Sequence, residues 1–284
     1  MARCLVTGHR GFIGSELFNE LRSQGHDVMG IDIKDGDDLL EVLSEDKIDD
    51  KFLDFAPDYI FHLACIPRVA YSVENPVETM RNNVLAGSLV LNYAKRVNAA
   101  RVIYSGSSSV IGNGQGPSSP YALQKLVTEI ECRLYSELYA VDTITLRYFN
   151  VYSETKKDGN PYATAVAKWR HCISEGENPF ITGDGHQSRD MAYLKDVVSA
   201  NMFAMNYHKD FAGEVFDVGT GDNISLNEIK DIILKYHPNV QFDYVDPRAG
   251  DVITTKADMS RLGSLGWRPE MSIVDGINLC FKSS

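Results

Sequence analysis

Arg3-Cys4-Leu5-Val6-Thr7-Gly8-His9-Arg10-Gly11-Phe12-Ile13-Gly14 is the stretch on which the fold turns. An apolar run too short for a helix ends at Thr7, glycines follow at 8, 11 and 14, and Ser15-Glu16-Leu17-Phe18 takes up helical spacing. The pattern is strand, tight turn, helix. Gly8 allows the turn, Gly11 lets a pyrophosphate approach the backbone, and Gly14 lets the helix pack against the strand with its first amides facing the phosphates. A second strand, Asp27-Val28-Met29-Gly30-Ile31-Asp32, ends in a carboxylate 18 residues after Gly14. That is near the spacing of a group that binds an adenosine ribose. Asp32 accepts from a free 2′-hydroxyl and repels a 2′-phosphate, which favours NAD over NADP; Lys34 softens the choice.

The 284 residues suffice for one large domain, or a large one carrying a small one. Hydrophobic residues at 44% and charged residues at 24% describe an ordinary globular protein. A net charge of −11 disfavours nucleic acid or an anionic membrane as partner, so an anionic ligand needs local Arg or Lys. No run reaches the ~18 apolar residues of a membrane span, and the first strand starts too early for a signal peptide, so a cytoplasmic protein is expected. Cys4, Cys65, Cys132, Cys172 and Cys280 are widely spaced, with no Cys-x-x-Cys pair. They read as free thiols, with neither a disulfide framework nor a metal site.

Beyond Asp32, Leu39 to Leu43 is expected to be a short third strand and Asp46 to Phe55 a helix. Tyr59 to Ala64 is a continuous apolar run, as in a parallel strand buried on both faces. Glu74 to Asn98 has helical spacing; Arg101 to Ser105 is the next strand, Tyr121 to Tyr139 the next helix, and Asp142 to Arg147 another strand. This alternation predicts an α/β fold with a doubly wound parallel sheet (Rossmann), its ligand beyond the carboxyl ends of the strands. The alternation weakens after about Asn150. A helix over Tyr162 to Glu175, strands at Pro179 to Thr182, Val215 to Val218 and Gln241 to Val245, and a helix over Leu226 to His237 suggest a smaller C-terminal α/β substrate-binding region. Residues 1–150 are thus expected to form the dinucleotide-binding domain, and 151–284 mainly the substrate region, with segments returning to the main sheet.

Ser105-Gly106-Ser107-Ser108-Ser109 sits where a strand ends, and Ser118-Ser119-Pro120 then offers an N-cap and a first-turn proline. Tyr121 and Lys125, at i and i+4, share one helix face, so an ammonium can sit under a phenol. A phenol with a pKa of about 10 is a poor base at neutral pH, and neighbouring positive charge favours its phenolate. A serine hydroxyl beside it can share a substrate proton. The set suits oxidation of an alcohol to a ketone by hydride transfer. Tyr152-Ser153-Glu154-Thr155-Lys156 repeats the spacing, but no serine-bearing strand end precedes it.

Thr-Gly-x-x-Gly-Phe-Ile-Gly at 7–14, His-Leu-Ala at 62–64, Asn-Asn-Val at 82–84, the serine cluster, Tyr121-x-x-x-Lys125 and Arg147-Tyr148-Phe149-Asn150 together resemble the extended short-chain dehydrogenase/reductases. Gly183 to Asp190, Pro247 to Asp251, Ala257-Asp258 and Leu265-Gly266-Trp267 extend the resemblance to the nucleotide-sugar epimerase/dehydratase branch, and most to UDP-glucose and UDP-N-acetylglucosamine 4-epimerases. The resemblance implies that Gly8, Gly11, Phe12, Ile13 and Gly14 bind the NAD pyrophosphate, Asp32 the ribose and Asp46 the adenine. It implies that Leu63, Ala64, Asn83, Ser105, Tyr121, Lys125, Tyr148 and Phe149 line the rest of the cofactor. Ser107, Tyr121 and Lys125 match the catalytic set; Ser107, Ser108, Asn150, Arg189, Arg248 and Asp251 match substrate contacts, the arginines gripping the diphosphate.

The serine cluster discriminates within the branch. Related 4,6-dehydratases carry Thr-Asp-Glu where this chain has Ser107-Ser108-Ser109, because elimination of water requires an acid and a base there. Decarboxylating members usually keep the Glu. The resemblance therefore implies 4-epimerisation: Tyr121 takes the 4-hydroxyl proton, the C4 hydride passes to NAD and returns to the other face of the 4-keto sugar. Reduction or dehydration of a nucleotide sugar, or a non-catalytic NAD sensor, are the alternatives. Thr255 matches a position where large side chains exclude 2-acetamido sugars, and as a threonine it implies room for one. Gly112 to Pro117 is shorter than the family's usual loop, and Pro67 replaces a frequent Lys. His62 reads as a core histidine and Cys65 as a buried thiol. Apolar residues beyond one stripe in the helices near 74–98 and 121–139 match the family's homodimer interface.

Overall fold

The computed structural model describes residues 1–44, 46–155, 164–247 and 253–282. In chain order the elements begin with β1 (Arg3–Thr7), α1 (Phe12–Ser23), β2 (Asp27–Ile31), α2 (Leu39–Val42), α3 (Asp50–Phe55), β3 (Tyr59–His62), α4 (Val69–Glu74) and α5 (Pro76–Met80). A π-helical turn, Arg81–Leu85, leads into α6 (Ala86–Val97), followed by β4 (Arg101–Ser107), α7 (Pro120–Tyr139), β5 (Thr143–Tyr148), α8 (Ala165–Glu175), β6 (Phe180–Thr182) and β7 (Ser188–Arg189). The chain closes with α9 (Leu194–Asn206), β8 (Glu214–Val218), β9 (Ile224–Ser225), α10 (Leu226–Tyr236), β10 (Asp243–Val245), α11 (Ser260–Ser264) and α12 (Ile273–Lys282).

Two units divide the chain, and the first is discontinuous: residues 1–110, 117–147 and 198–216. The second comprises 111–116, 148–197 and 217–284. The sequence pattern puts the boundary near 150, with later segments returning to the main sheet; the units divide after Arg147, and the later segment 198–216 belongs to the first.

The main sheet is parallel and six-stranded, in the order β2-β1-β3-β4-β5-β8, the Rossmann-like arrangement expected from the alternation. Strand order reverses between β1 and β3, and ligands of such sheets bind beyond the strand ends at that switch point. Register aligns Thr7 with Ile31 on one side and His62 on the other, so the C-terminal ends of β2, β1 and β3 lie level. β1 and β3 are buried almost throughout, which is why they lack polar alternation. Leu5, Ile60, Val102, Val90 and Tyr93 belong to one core cluster. Each such aliphatic side chain contributes about 1.5–3 kcal/mol on burial.

One expectation for this sheet fails. Leu39 to Leu43 is not a strand: Leu39–Val42 is helical, because the Asp38 carboxylate accepts the Leu40 N–H at 2.9 Å and starts a turn. The sheet therefore ends at β2. The following helix is also shorter than expected, Asp50–Phe55 rather than from Asp46. Glu74 to Asn98 is several pieces, since Pro76 opens α5 at its first turn and the π turn interrupts the register before α6.

Arg101, 6% exposed, anchors the end of α9 within the first unit. Its guanidinium pairs with Asp142 at 2.5 Å and donates to the carbonyls of Ala204, Tyr207 and Lys209. Ala204 supplies one of the carbonyls that a helix end leaves unpaired, and Tyr207 and Lys209 follow in the segment just beyond it.

In the second unit, β6 and β10 form a parallel pair and β7 and β9 an antiparallel one. A cluster including Trp169, Ile181, Ile233, Ile277 and Phe281 forms its core. Ser225 and Glu228 close a reciprocal cap at the start of α10. The helix expected from Tyr162 is described from Ala165; Tyr162 and Ala163 lie outside the described residues.

Candidate active site

Local chemistry accounts for the glycine loop. Gly8 has φ +73°, and a Cβ there would meet the Ala64 nitrogen at 2.9 Å. At Gly14 a Cβ would lie 2.1 Å from the Gly8 carbonyl oxygen, so this helix packs at a distance only glycine permits. Gly11 is the N-cap of α1, and no side chain caps the helix. Phe12 and Ile13 open that helix. An uncapped helix start approached by glycine backbone fits a dinucleotide pyrophosphate. Thr7, fully buried at the end of β1, accepts the Ala64 N–H at 3.1 Å and bonds His62 Nδ1 at 2.8 Å. Leu63 and Ala64 are thereby held beside the loop. The glycine motif begins at Thr7, but the role of its side chain follows from β1 lying next to β3.

Asp32 follows β2 with both oxygens oriented, Oδ2 by the Arg10 N–H at 2.9 Å and Oδ1 by the Lys34 N–H at 3.0 Å. Lys34 Nζ turns to the Arg10 carbonyl at 3.2 Å. Asp46 is exposed in the turn between α2 and α3. Asn83, in the π turn, uses its amide to hold the loop after β3: Oδ1 accepts the Ile66 N–H at 2.7 Å, and Nδ2 donates to Gln124 Oε1 at 2.8 Å.

Ser107 ends β4, and Ser108 begins the short turn after it. Ser119 caps α7 by accepting the Ala122 N–H at 3.2 Å, Pro120 is its first residue, and Ser72 Oγ accepts the Tyr121 N–H at 3.0 Å. These fix Tyr121 in a site that leaves it 8% exposed, hydrogen-bonded to Ser107. Burial pushes its phenol above the ordinary range, as does the neighbouring Cys65, against the lowering effect of the Ser107 bond. Lys125 is 3% exposed. Its ammonium donates to the Ser105 carbonyl at 2.7 Å and lies 4.9 Å from the Tyr104 ring centre. Tyr121 and Lys125 share one face as the i, i+4 spacing requires, but the ammonium is anchored to the end of β4. Ser105 Oγ in turn donates to the His62 carbonyl at 2.9 Å. Burial, and next the charge of Lys125, pull His62 down to about 3, so its ring is neutral.

Several residues of the second unit converge on Asp190, whose importance its place in the sequence did not reveal. Asn150 Nδ2 donates to the Asp190 carbonyl at 2.7 Å, and the Asp190 N–H donates to the Thr255 carbonyl at 2.9 Å. The Asp190 carboxylate accepts from Thr220, Gly221 and Ala257. Arg189 donates to the Ser188 carbonyl at 3.0 Å. Tyr148 and Phe149 are buried. Phe149, residues 253–256 and residues 111–114 line a cavity of about 430 Å³. Arg248 and Asp251 lie outside the described residues. Among the described residues no group of His, Cys, Asp and Glu is disposed to hold a metal, and no helix is long and apolar enough to cross a membrane.

The family model of the NAD-dependent epimerases/dehydratases matches residues 4–219, and the chain belongs to that family. It is an enzyme of the family and its cofactor is NAD. Over 97% of its length it is 30% identical to the UDP-glucose 4-epimerase of Mycolicibacterium smegmatis, of which 96% is covered. It is 29% identical to a UDP-N-acetyl-α-D-glucosaminuronate decarboxylase of Bacillus cytotoxicus, with 97% of this chain and 95% of the relative covered. Among solved structures, UDP-N-acetylglucosamine 4-epimerase of Methanobrevibacter ruminantium, in complex with UDP-N-acetylmuramic acid, superposes with a TM-score of 0.87 at 30% identity, covering 99% of this chain and 97% of that one.

Proposed function

We propose that the protein is a nucleotide-sugar 4-epimerase acting on a UDP-hexose or UDP-N-acetylhexosamine. The observation that carries this reading is the pairing of Tyr121 with Ser107 in a segment without acid–base carboxylates: from Ser105 to Tyr121 there is no Asp or Glu. Elimination or decarboxylation chemistry lacks its usual carboxylate there, whereas oxidation and re-reduction of one carbon needs only a hydroxyl-to-phenol relay.

In this reading Gly8, Gly11, Phe12, Ile13 and Gly14 hold the NAD pyrophosphate, Asp32 the ribose and Asp46 the adenine. Leu63, Ala64, Asn83, Ser105, Lys125, Tyr148 and Phe149 complete the cofactor's surroundings. Bound NAD supplies the hydride acceptor and donor, and a positive ring. Tyr121 removes the 4-hydroxyl proton and returns it, and Ser107 shares it. Tyr121 can take that proton only as the phenolate; burial opposes the phenolate, so local positive charge, to which Lys125 contributes, has to favour it. Ser108, Asn150, Arg189, Arg248, Asp251 and Thr255 serve the nucleotide sugar, and the small Thr255 side chain leaves room for a 2-acetamido group.

A homodimer fits the exposed apolar residues Val73 and Val77 of α4 and α5 and Leu123, Ile130, Leu134 and Leu138 of α7. A cytoplasmic location fits the five free cysteines.

The test is turnover of UDP-N-acetylglucosamine and UDP-glucose followed by NMR of the anomeric protons. The expected result is the galacto epimer without net cofactor consumption, lost in Tyr121→Phe. A stable keto product, or stoichiometric NADH consumption, would replace epimerisation by dehydration or reduction. No change in either sugar with NAD present would remove this substrate assignment.

A further inference from the structure

Asp35 lies three residues beyond Asp32 and binds two side chains of the glycine loop. Its carboxylate meets His9 Nε2 at 2.8 Å, Arg10 Nε at 2.9 and 3.0 Å, and Arg10 Nη2 at 2.8 Å. The His9 ring is fixed in place. A Cβ on Gly30 would lie 2.3 Å from His9 Nδ1, and Phe18 lies 5.1 Å away between ring centres. Arg10 is tied to Asp32 as well, through its backbone N–H, and Lys34 Nζ closes onto the Arg10 carbonyl.

Two cations, Arg10 and Lys34, therefore flank the carboxylate assigned to the adenosine ribose. NADP carries a phosphate on the 2′-oxygen, and a guanidinium fork is the side chain best shaped to take it. Here one edge of that fork is committed, since Asp35 occupies Nε and Nη2 together and turns the guanidinium toward itself. We propose that Asp35 is a specificity-determining residue: by holding Arg10 and adding a second carboxylate beside Asp32, it keeps the site selective for NAD against NADP.

The inference rests on Asp32 receiving the adenosine ribose. The Arg10 and Asp35 side chains are 58% and 31% exposed, so the pair contributes little to folding stability and its removal reads out on selectivity. Freed from Asp35, Arg10 becomes available to a phosphate, and one repelling charge is lost.

The experiment equilibrates holoenzyme with an equimolar excess of NAD and NADP, then measures the ratio of the two dinucleotides bound. Asp35→Asn is expected to raise the NADP:NAD ratio about tenfold, most of it from the released Arg10 guanidinium meeting the 2′-phosphate at several ångströms in a partly screened site. Asp35→Ser should do the same, and Arg10→Ala combined with Asp35→Asn should cancel most of the gain. A ratio within twofold of wild type in both Asp35 variants, or a gain that persists without Arg10, overturns the proposal. Asp32→Ala measured alongside separates the two levels. If Asp32→Ala raises the ratio and the Asp35 variants do not, the role of Asp35 alone fails; if none of them moves it, the ribose assignment fails too.

Discussion

Asp190→Asn should destabilise the second unit by about 3 kcal/mol, although it changes the side chain's shape very little. Asp190 is fully buried. One carboxylate oxygen accepts the Thr220 N–H and the Thr220 hydroxyl, both at 2.8 Å. The other accepts the Gly221 and Ala257 N–H groups, both at 2.9 Å. An asparagine has one acceptor oxygen. Its best orientation puts that oxygen toward Gly221 and Ala257, whose backbone donors cannot turn. The amide NH₂ then faces Thr220, where the hydroxyl can rotate to accept but the N–H cannot. One buried N–H is stranded at about 1–3 kcal/mol, and the surviving bonds lose their ionic character. The lower cost of burying a neutral amide returns part of this. Differential scanning calorimetry of the intact protein should show a melting temperature lowered by roughly 6–12 °C, at about 2–4 °C per kcal/mol for a chain of this size. A change below about 2 °C would show that the 219–221 turn and the 255–257 segment do not depend on this carboxylate, and would refute the reasoning.

His62 sets a pH dependence whose sign follows from its depressed pKa, about 3 in the folded chain against 6.5. Between those values the unfolded chain binds a proton that the folded one refuses, so stability falls as pH drops, by up to about 1.4 kcal/mol per unit. His62→Gln should flatten that share of the slope in denaturant midpoints measured from pH 7 to 5, and parallel slopes would contradict it. Gly14→Ala forces a Cβ to within 2.1 Å of the Gly8 oxygen. Overpacking of this kind costs about 1–3 kcal/mol, so NAD affinity measured by titration should fall about tenfold or more; unchanged affinity would dissociate this helix start from the cofactor. Charging the exposed stripe of α7 with Leu134→Asp and Leu138→Asp should convert a dimer to a monomer in sedimentation, and an unaltered mass would exclude that face.

The parts of this protein written in short-range pattern were determined by sequence alone. The glycine loop between β1 and α1, the carboxylate after β2, and the serine-bearing strand end followed by a capped helix with Tyr121 and Lys125 each depend on residues a few positions apart. Turn chemistry, capping and helical period act over that distance. Leu39 to Leu43 marks where this fails: its apolar composition suits a strand, but one capping carboxylate at Asp38 makes it a helix. What only the tertiary structure decided is where committed polar atoms end. Lys125 reaches a carbonyl 20 residues away, Arg10 pairs with Asp35 at a separation of 25, and Asp190 gathers donors 30 to 67 residues downstream. A buried or oriented polar group must find its partner wherever the packed chain brings one, and that demand has no period and leaves no local signature.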